Sequence, residues 1–205
     1  MSDERTPRIP PLPEELWDDE VRTALQRGSS SLRVEKIPNA VSTILHHPDL
    51  AGRWLAYNGI FVTNSNIDVR TRELLILTVA YRTRSAYEWL QHLRTAERFG
   101  VGQDDIDAIA AGVPAESWTA AEVAVVDTAA QLLDGYTVDD ETWGRLTQHF
   151  DNRQVIEIAF AVGSYTCLAM ALNAFGVQLD PELEEIDRSA IAAWEMTSGS
   201  IPKAS

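Results

Sequence analysis

The chain has 205 residues, 45% of them hydrophobic, and a formal net charge of −14. That length sustains one sizeable core, and that apolar content separates it from disordered chains. The acidity, with a pI near 4.6, disfavours nucleic acid and anionic membrane surfaces, which both call for concentrated positive charge. It leaves small anionic substrates open, because a local arginine cluster can hold one inside an acidic protein.

One cysteine, Cys167, rules out an intrachain disulfide framework and suits a reducing compartment. The N-terminal string MSDERTPRIPPLPEELW lacks the apolar run of a signal peptide. No stretch of roughly 18 uniformly apolar residues stands out. The expectation is a cytoplasmic protein with no membrane span.

In chain order, Pro7, Pro10, Pro11 and Pro13 make residues 1–15 an extended arm, loose or laid across a neighbouring subunit. Residues 16–190 read as a single all-α domain and 191–205 as a tail. Pro13 with Glu14 and Glu15 opens a first helix that Gly28 closes. A short turn from Asn39 ends before Pro48, and PDLAGRWLAYNGIFVT comes next with apolar residues at helical spacing. Asp68 caps the next helix, whose LLILTVAY is apolar nearly all round and therefore belongs in the middle of a bundle. After the link Arg82–Thr83–Arg84, Ser85 is a candidate N-cap, with Glu88 completing a Ser-x-x-Glu capping box. That helix runs to Phe99 and stops at Gly100.

A short helix closes at Gly112. The next spans Thr119 to Gly135, and another is amphipathic on Val138, Trp143, Leu146 and Phe150. A long apolar helix from Asn152 to Phe175 stops at Gly176, and the tail has room for one more short helix. Its apolar setting predicts an inert, buried thiol at Cys167. RELLILTVAY and QVIEIAFAV echo each other, each leading towards a Gly-Val stop, as duplicated helix pairs would. No alternating strand pattern of useful length occurs.

Helix geometry singles out Glu73, Glu88 and His92. If the helices flanking Thr83 pack antiparallel, reflecting Glu73 through the link lands within about one turn of His92. Ser85, Glu88, His92 and Thr95 share one face by their spacing, so Glu88 and His92 can hydrogen-bond. An imidazole flanked by carboxylates is what general acid–base chemistry needs. The plain structural reading stands beside it: Glu73 favours a helix dipole, Glu88 caps, and His92 is a satisfied interior histidine. His46 and His47 suit a helix end before Pro48. No HExxH and no second cysteine occur, so no metal is expected. Arg70, Arg72, Arg82, Arg84 and Arg94 bracket the pocket as candidate anion contacts. Arg72, Arg84, Ser85 and Tyr87 are the candidate substrate contacts, although Tyr87 and Trp89 suit a core or a subunit contact better.

The strings RTRELLILTVAYRTRSAYEWLQHLRTAERFGV, HHPDLAGRWLAYNGIFVTNSNIDVR and VIEIAFAVGSYTCLAMALNAFGV resemble the carboxymuconolactone decarboxylase family, which includes alkylhydroperoxidase D-type proteins. The likeness covers about residues 38–178. It implies an all-α helical bundle of the alkylhydroperoxidase D-like type and a homo-oligomer, commonly a trimer or hexamer. The family's peroxidase branch carries a Glu, a Cys-x-x-Cys and a His, which fall here on Glu73, Ser85, Glu88 and His92. With no thiol at either place, disulfide exchange cannot occur and peroxidase activity is disfavoured. The chain resembles the cysteine-free decarboxylase branch, whose chemistry needs no metal or organic cofactor. The resulting expectation is a cofactor-free lyase on a small carboxylated lactone or oxo-acid, with His92 as proton donor, Glu88 orienting it and Glu73 relaying. Alternatives are an isomerase, a lactone hydrolase or a tailoring enzyme on the same fold, or a non-catalytic oligomeric binding protein.

Overall fold

The computed structural model describes residues 6–28, 36–184 and 186, and every regular element among them is helical. These residues form nine α-helices, in order α1 Asp19–Gly28, α2 Asn39–Ile44, α3 Pro48–Thr63, α4 Val69–Arg82 and α5 Ala86–Ala96, then α6 Gln103–Ala111, α7 Ala120–Gly135, α8 Asp140–His149 and α9 Asn152–Phe175. The short helix expected in the tail lies outside the described residues.

α4 is the hub. Every residue from Thr71 to Ala80 is buried, and Leu74, Leu75, Leu77 and Val79 are fully so. Its apolar surface is continuous, so it has no solvent side and packs against α5, α6, α7 and α9 together. Leu74 and Leu77 join Trp89 and Leu90 of α5 in one core. Leu75, Ile76 and Val79 meet Ala124, Val125 and Ala129 of α7 and Ile158, Ala161 and Val162 of α9 in a second. A third, smaller core joins α1, α2 and α3. There α1 lies so close on α3 that a Cβ on Gly52 would stand 3.1 Å from the Ala24 Cα, so only glycine fits without a shift.

Local chemistry sets the ends. Asp68 accepts from the Thr71 amide at 2.9 Å and starts α4. Thr119 and Glu122 form a full capping box on α7, and Asp151 with Gln154 does the same for α9. The α4 N-terminus is tied down by Arg70. Its guanidinium grips Asp105 through two nitrogens at 2.9 Å, and its Nε reaches Glu122 at 2.7 Å.

Several expectations change. The first helix starts at Asp19, not after Pro13. Glu14–Leu16 make only a 3-10 turn, Trp17 is extended, and Asp18 caps α1 by accepting from the Glu20 and Val21 amides. α7 does stop at Gly135, but the left-handed cap is the next residue, Tyr136, and not the glycine. Trp143 points outward, 50% exposed, although its spacing suggested a buried face. The described part of the N-terminal arm, from residue 6 on, is held against this chain's own bundle. The amides of Arg8 and Ile9 donate to the Phe175 carbonyl at the α9 end, and the Leu12 amide donates to Ser42 of α2. His46 contributes by bonding Pro10 through Nε2 at 3.0 Å.

α9 also differs from the sequence reading. It is long and apolar enough to cross a membrane by length and composition. Half of that apolar window is buried within the bundle, as for a core helix. The other half carries Ile156, Phe160 and Met170, each about 60% exposed, on an outer face. Cys167 lies among the exposed residues of this helix, so it is not the buried thiol its neighbours implied. A helix apolar on every side gives no sequence signal for which side is covered.

Candidate active site

The site begins with the turn between α4 and α5. The Ser85 amide donates to the Ala80 carbonyl at 2.9 Å and the Arg84 amide to Tyr81 at 3.1 Å. Arg84 takes φ 53° to allow this. That is the paired hydrogen-bond pattern of a helix end with a left-handed residue, filled here by a non-glycine at a cost of roughly 1 kcal/mol. The reversal lays α5 back along α4 and brings the faces carrying Glu73 and His92 together.

There Nδ1 of His92 bonds Oε2 of Glu73 at 2.7 Å. The reflection of Glu73 through the link therefore finds its physical counterpart. Glu73 is only 2% exposed, and its other oxygen accepts from Arg72 at 3.2 Å. Burial pushes the Glu73 pKa up, but the charges and hydrogen bonds of His92 and Arg72 outweigh it and leave the carboxyl below its ordinary range. An ionised carboxylate only accepts, so Nδ1 carries the hydrogen and Nε2 is the nitrogen left for chemistry. The His92 side chain is 21% exposed, and Nε2 bonds no described residue.

Glu88 behaves otherwise. The expected capping box does not form: the Ser85 side chain caps nothing, and Glu88 turns inward to 3% exposure. Neither Glu88 oxygen has a hydrogen-bond partner among the described residues, and neither has the Ser85 hydroxyl. Burial raises the Glu88 pKa to about 7, with nearby Ser85 and the charge of His92 opposing part of the rise. Ser85 is near enough to favour the carboxylate without meeting hydrogen-bond geometry. Glu88 is thus not the residue that orients His92. The ring's hydrogen bond is made to Glu73 instead.

A raised carboxyl pKa has a stability consequence. The unfolded chain releases the Glu88 proton near the ordinary carboxyl range, whereas the folded chain holds it to about 7. Folding therefore loses stability as pH rises between those values, by up to about 3 kcal/mol. Urea unfolding of Glu88→Gln should match the wild type near pH 4.5 and exceed it by about 2–3 kcal/mol at pH 8 or above. Equal stability of the two proteins at alkaline pH would contradict the burial argument.

Sequence reasoning missed Tyr165 of α9. Its ring stands edge-on to His92 with centroids 5.7 Å apart. Burial, then the charge of Glu73, raises its hydroxyl pKa. The available signal was a lone phenol in an otherwise aliphatic helix face, since a buried hydroxyl needs polar company.

The remaining candidates separate. Arg72 bonds the Phe61 carbonyl at 3.0 Å and Glu73, so it holds the carboxylate in place. Tyr87 is buried, and its hydroxyl bonds Asp180 and accepts from the Ala40 amide at 3.3 Å. It fixes α2 and the segment after α9, and it is not brought to His92. Arg82 pairs with Asp134 at 2.5 Å. Arg84 lines a cleft of about 880 Å³ with Ile109, Leu132, Tyr136 and Met170. None of Glu73, Glu88, His92 and Tyr165 lines that cleft. No group of three or more metal-ligating side chains occurs among the described residues.

The Glu73–His92 pair lies in a segment that resembles a known family. The sequence profile of the carboxymuconolactone decarboxylase family matches residues 48–131. Over that segment the chain is similar to the carboxymuconolactone decarboxylase family. The segment runs from the start of α3 into α7 and contains Glu73, Ser85, Glu88 and His92.

Solved structures agree on the fold. A peroxidase-related protein with an alkylhydroperoxidase AhpD core, from Ralstonia eutropha JMP134, superposes with a TM-score of 0.71 at 18% identity, covering 85% of this chain and 94% of that one. The debrominase Bmp8 gives 0.70 at 16% identity, covering 90% and 96%. A peroxidase-related protein from Silicibacter sp. TM1040 gives 0.70 at 17%, covering 90% and 98%. At these identities the likeness is one of fold. No functionally curated protein matches the chain. The segment that matches the profile thus sits in an AhpD-like helical bundle.

Proposed function

We propose that the protein is a cofactor-free acid–base lyase that decarboxylates a small carboxylated lactone or oxo-acid. The observation that carries this reading is the 2.7 Å bond from His92 Nδ1 to the buried Glu73 carboxylate. It fixes ring orientation and tautomer in a side chain that is 21% exposed, and leaves Nε2 for chemistry. The peroxidase-related neighbours and the debrominase mark chemistries that relatives of this fold carry. Here Ser85 and Glu88 stand where the peroxidase branch has its thiols, and Cys167, the sole cysteine, is exposed on α9.

Decarboxylation breaks the bond from carbon to carboxylate and releases CO2. The electron pair moves into the adjacent conjugated carbonyl as an enolate. Charged His92 then delivers the Nε2 proton to the carbon, so one proton is consumed for each CO2 released. Glu73 accepts Nδ1–H before and after the transfer, so the ring does not have to turn. Solvent returns the proton along the exposed edge of the ring.

Loss of the 4-carboxymuconolactone signal on incubation with chelator-treated protein tests this reading. A thermal-shift screen of related lactones and oxo-acids widens the search, because ligands that bind the native state raise its stability. The reading is overturned if that lactone, and every such ligand that raises the melting temperature, stays unconsumed.

We also propose that the protein works as a homo-oligomer. Tyr57 and Ile60 of α3 lie beside the outer face of α9, where the Tyr57 hydroxyl meets the Phe160 carbonyl at 3.4 Å. With Ile156, Phe160 and Met170 they form an exposed apolar patch of the kind monomers rarely leave uncovered. Light scattering on Phe160→Glu should show a smaller assembly than the wild type with little loss of fold. An unchanged mass, or a monomeric wild type, contradicts the patch as an interface.

A further inference from the structure

Within one turn of α5, three buried oxygens have no protein partner among the described residues: the Ser85 hydroxyl and both oxygens of Glu88. Buried polar atoms in folded proteins are nearly always satisfied, and leaving several orphaned together is costly. Glu88 sits about one turn and Ser85 about two turns before His92 on the same helix face. Their electrostatic reach is shared, since His92 acts on Glu88, and both Glu88 and Glu73 act on the Tyr165 hydroxyl. The dyad does not use them, and no capping role absorbs them.

We propose that Ser85 and Glu88 form a subsite for a neutral oxygen function of the substrate, a lactone or keto carbonyl, with Glu88 entering the complex as the un-ionised acid. In that form Glu88 has one O–H to donate and one oxygen to accept, and Ser85 adds a second donor or accepts from Glu88. A carbonyl oxygen takes up the donors. An ionised Glu88 would instead face the carbonyl with like partial charge. The subsite deepens the lyase reading, on which it rests: the enolate oxygen formed as CO2 leaves would lie against the Glu88 O–H, while His92 serves the carbon. The groups that bear on Glu88 are Ser85 just before α5, His92 on α5 and Tyr165 on α9. His92 is the other proton-carrying group beside Glu88, so the test separates the two.

The probe is 5-oxotetrahydrofuran-2-carboxylate, a stable carboxylated lactone, titrated calorimetrically into full-length protein in buffers of different ionisation enthalpy. The wild type should bind at about pH 5.5 with no proton uptake and at about pH 8.5 with uptake approaching one proton per site. Its affinity should fall about thirtyfold between those conditions, as expected for a carboxyl titrating near 7 that must be protonated to bind. Glu88→Gln, which keeps the shape and a donor, should bind with no uptake and no pH dependence. Ser85→Ala should lose about threefold to tenfold in affinity with the pH dependence intact. The proposal is overturned if the probe fails to bind the wild type at the acidic pH, if wild-type binding is pH-independent, or if Glu88→Gln retains the proton uptake, which would assign it to His92. Its failure is separable from that of the lyase reading. Turnover with uptake retained in Glu88→Gln removes the subsite alone, whereas Glu88-linked binding without turnover of any lactone or oxo-acid removes the lyase alone.

Discussion

Replacing His92 by alanine should lower kcat/KM on a carboxylated lactone by about 10²–10⁴, the usual worth of a positioned proton donor. That corresponds to roughly 3–5 kcal/mol of transition-state stabilisation. The loss should fall mainly on kcat, because the ring acts where the proton moves rather than where the substrate is gripped. The fold should survive, since the ring is partly exposed and Glu73 keeps its bond to Arg72. His92→Gln sharpens the test: an amide can still donate to Glu73 but cannot deliver a proton, so stability is retained and activity is not. Steady-state kinetics of these variants beside the wild type give the answer. Equal turnover by His92→Ala and wild type would remove the residue from the mechanism.

Glu73→Ala should be the more damaging substitution for the fold. It leaves Arg72, only 9% exposed, with the Phe61 carbonyl but no counter-charge. Removing one partner of a buried pair in this way costs about 3–5 kcal/mol. For a chain of this size that lowers the melting temperature by about 6–20 °C. The pH dependence is set by the direction of the shift. The folded Glu73 carboxyl titrates below its ordinary range, so its contribution is full above the unfolded carboxyl pKa and fades as pH falls through the folded one. The gap between wild type and Glu73→Ala should therefore narrow on acidification. Glu88 runs the other way, with its cost appearing as pH rises. Urea titrations at acidic and neutral pH separate the two carboxyls, and a loss below about 1 kcal/mol at neutral pH would mean that Arg72 finds other company.

The bundle and the dyad were legible because they rest on periodicity and on one symmetric operation. Two helices joined by a short link fold back on themselves, so equal distance from the link means equal height. That placed Glu73 at His92 before any coordinates. The role of Glu88 was not legible, because Ser-x-x-Glu is written identically whether the glutamate caps its own helix or turns into the core. Burial decided it, and burial depends on what packs above α5. Tyr165 arrives from α9, over seventy residues further along the chain, and no local pattern marks its approach to His92. The same limit hid the exposure of Cys167 and Trp143: spacing assigns residues to a common face but not that face to a neighbour. The arm along α9 and α2 is held by backbone groups, whose partners no side-chain pattern encodes.

The lyase reading stands on proton transfer coupled to loss of CO2. Its sharpest test is to trap the CO2 released from 4-carboxymuconolactone by dialysed, chelator-treated wild-type protein. One CO2 is expected for each lactone consumed. Lactone consumed without CO2 would contradict the reading and point to hydrolysis or isomerisation at the same Glu73–His92 pair.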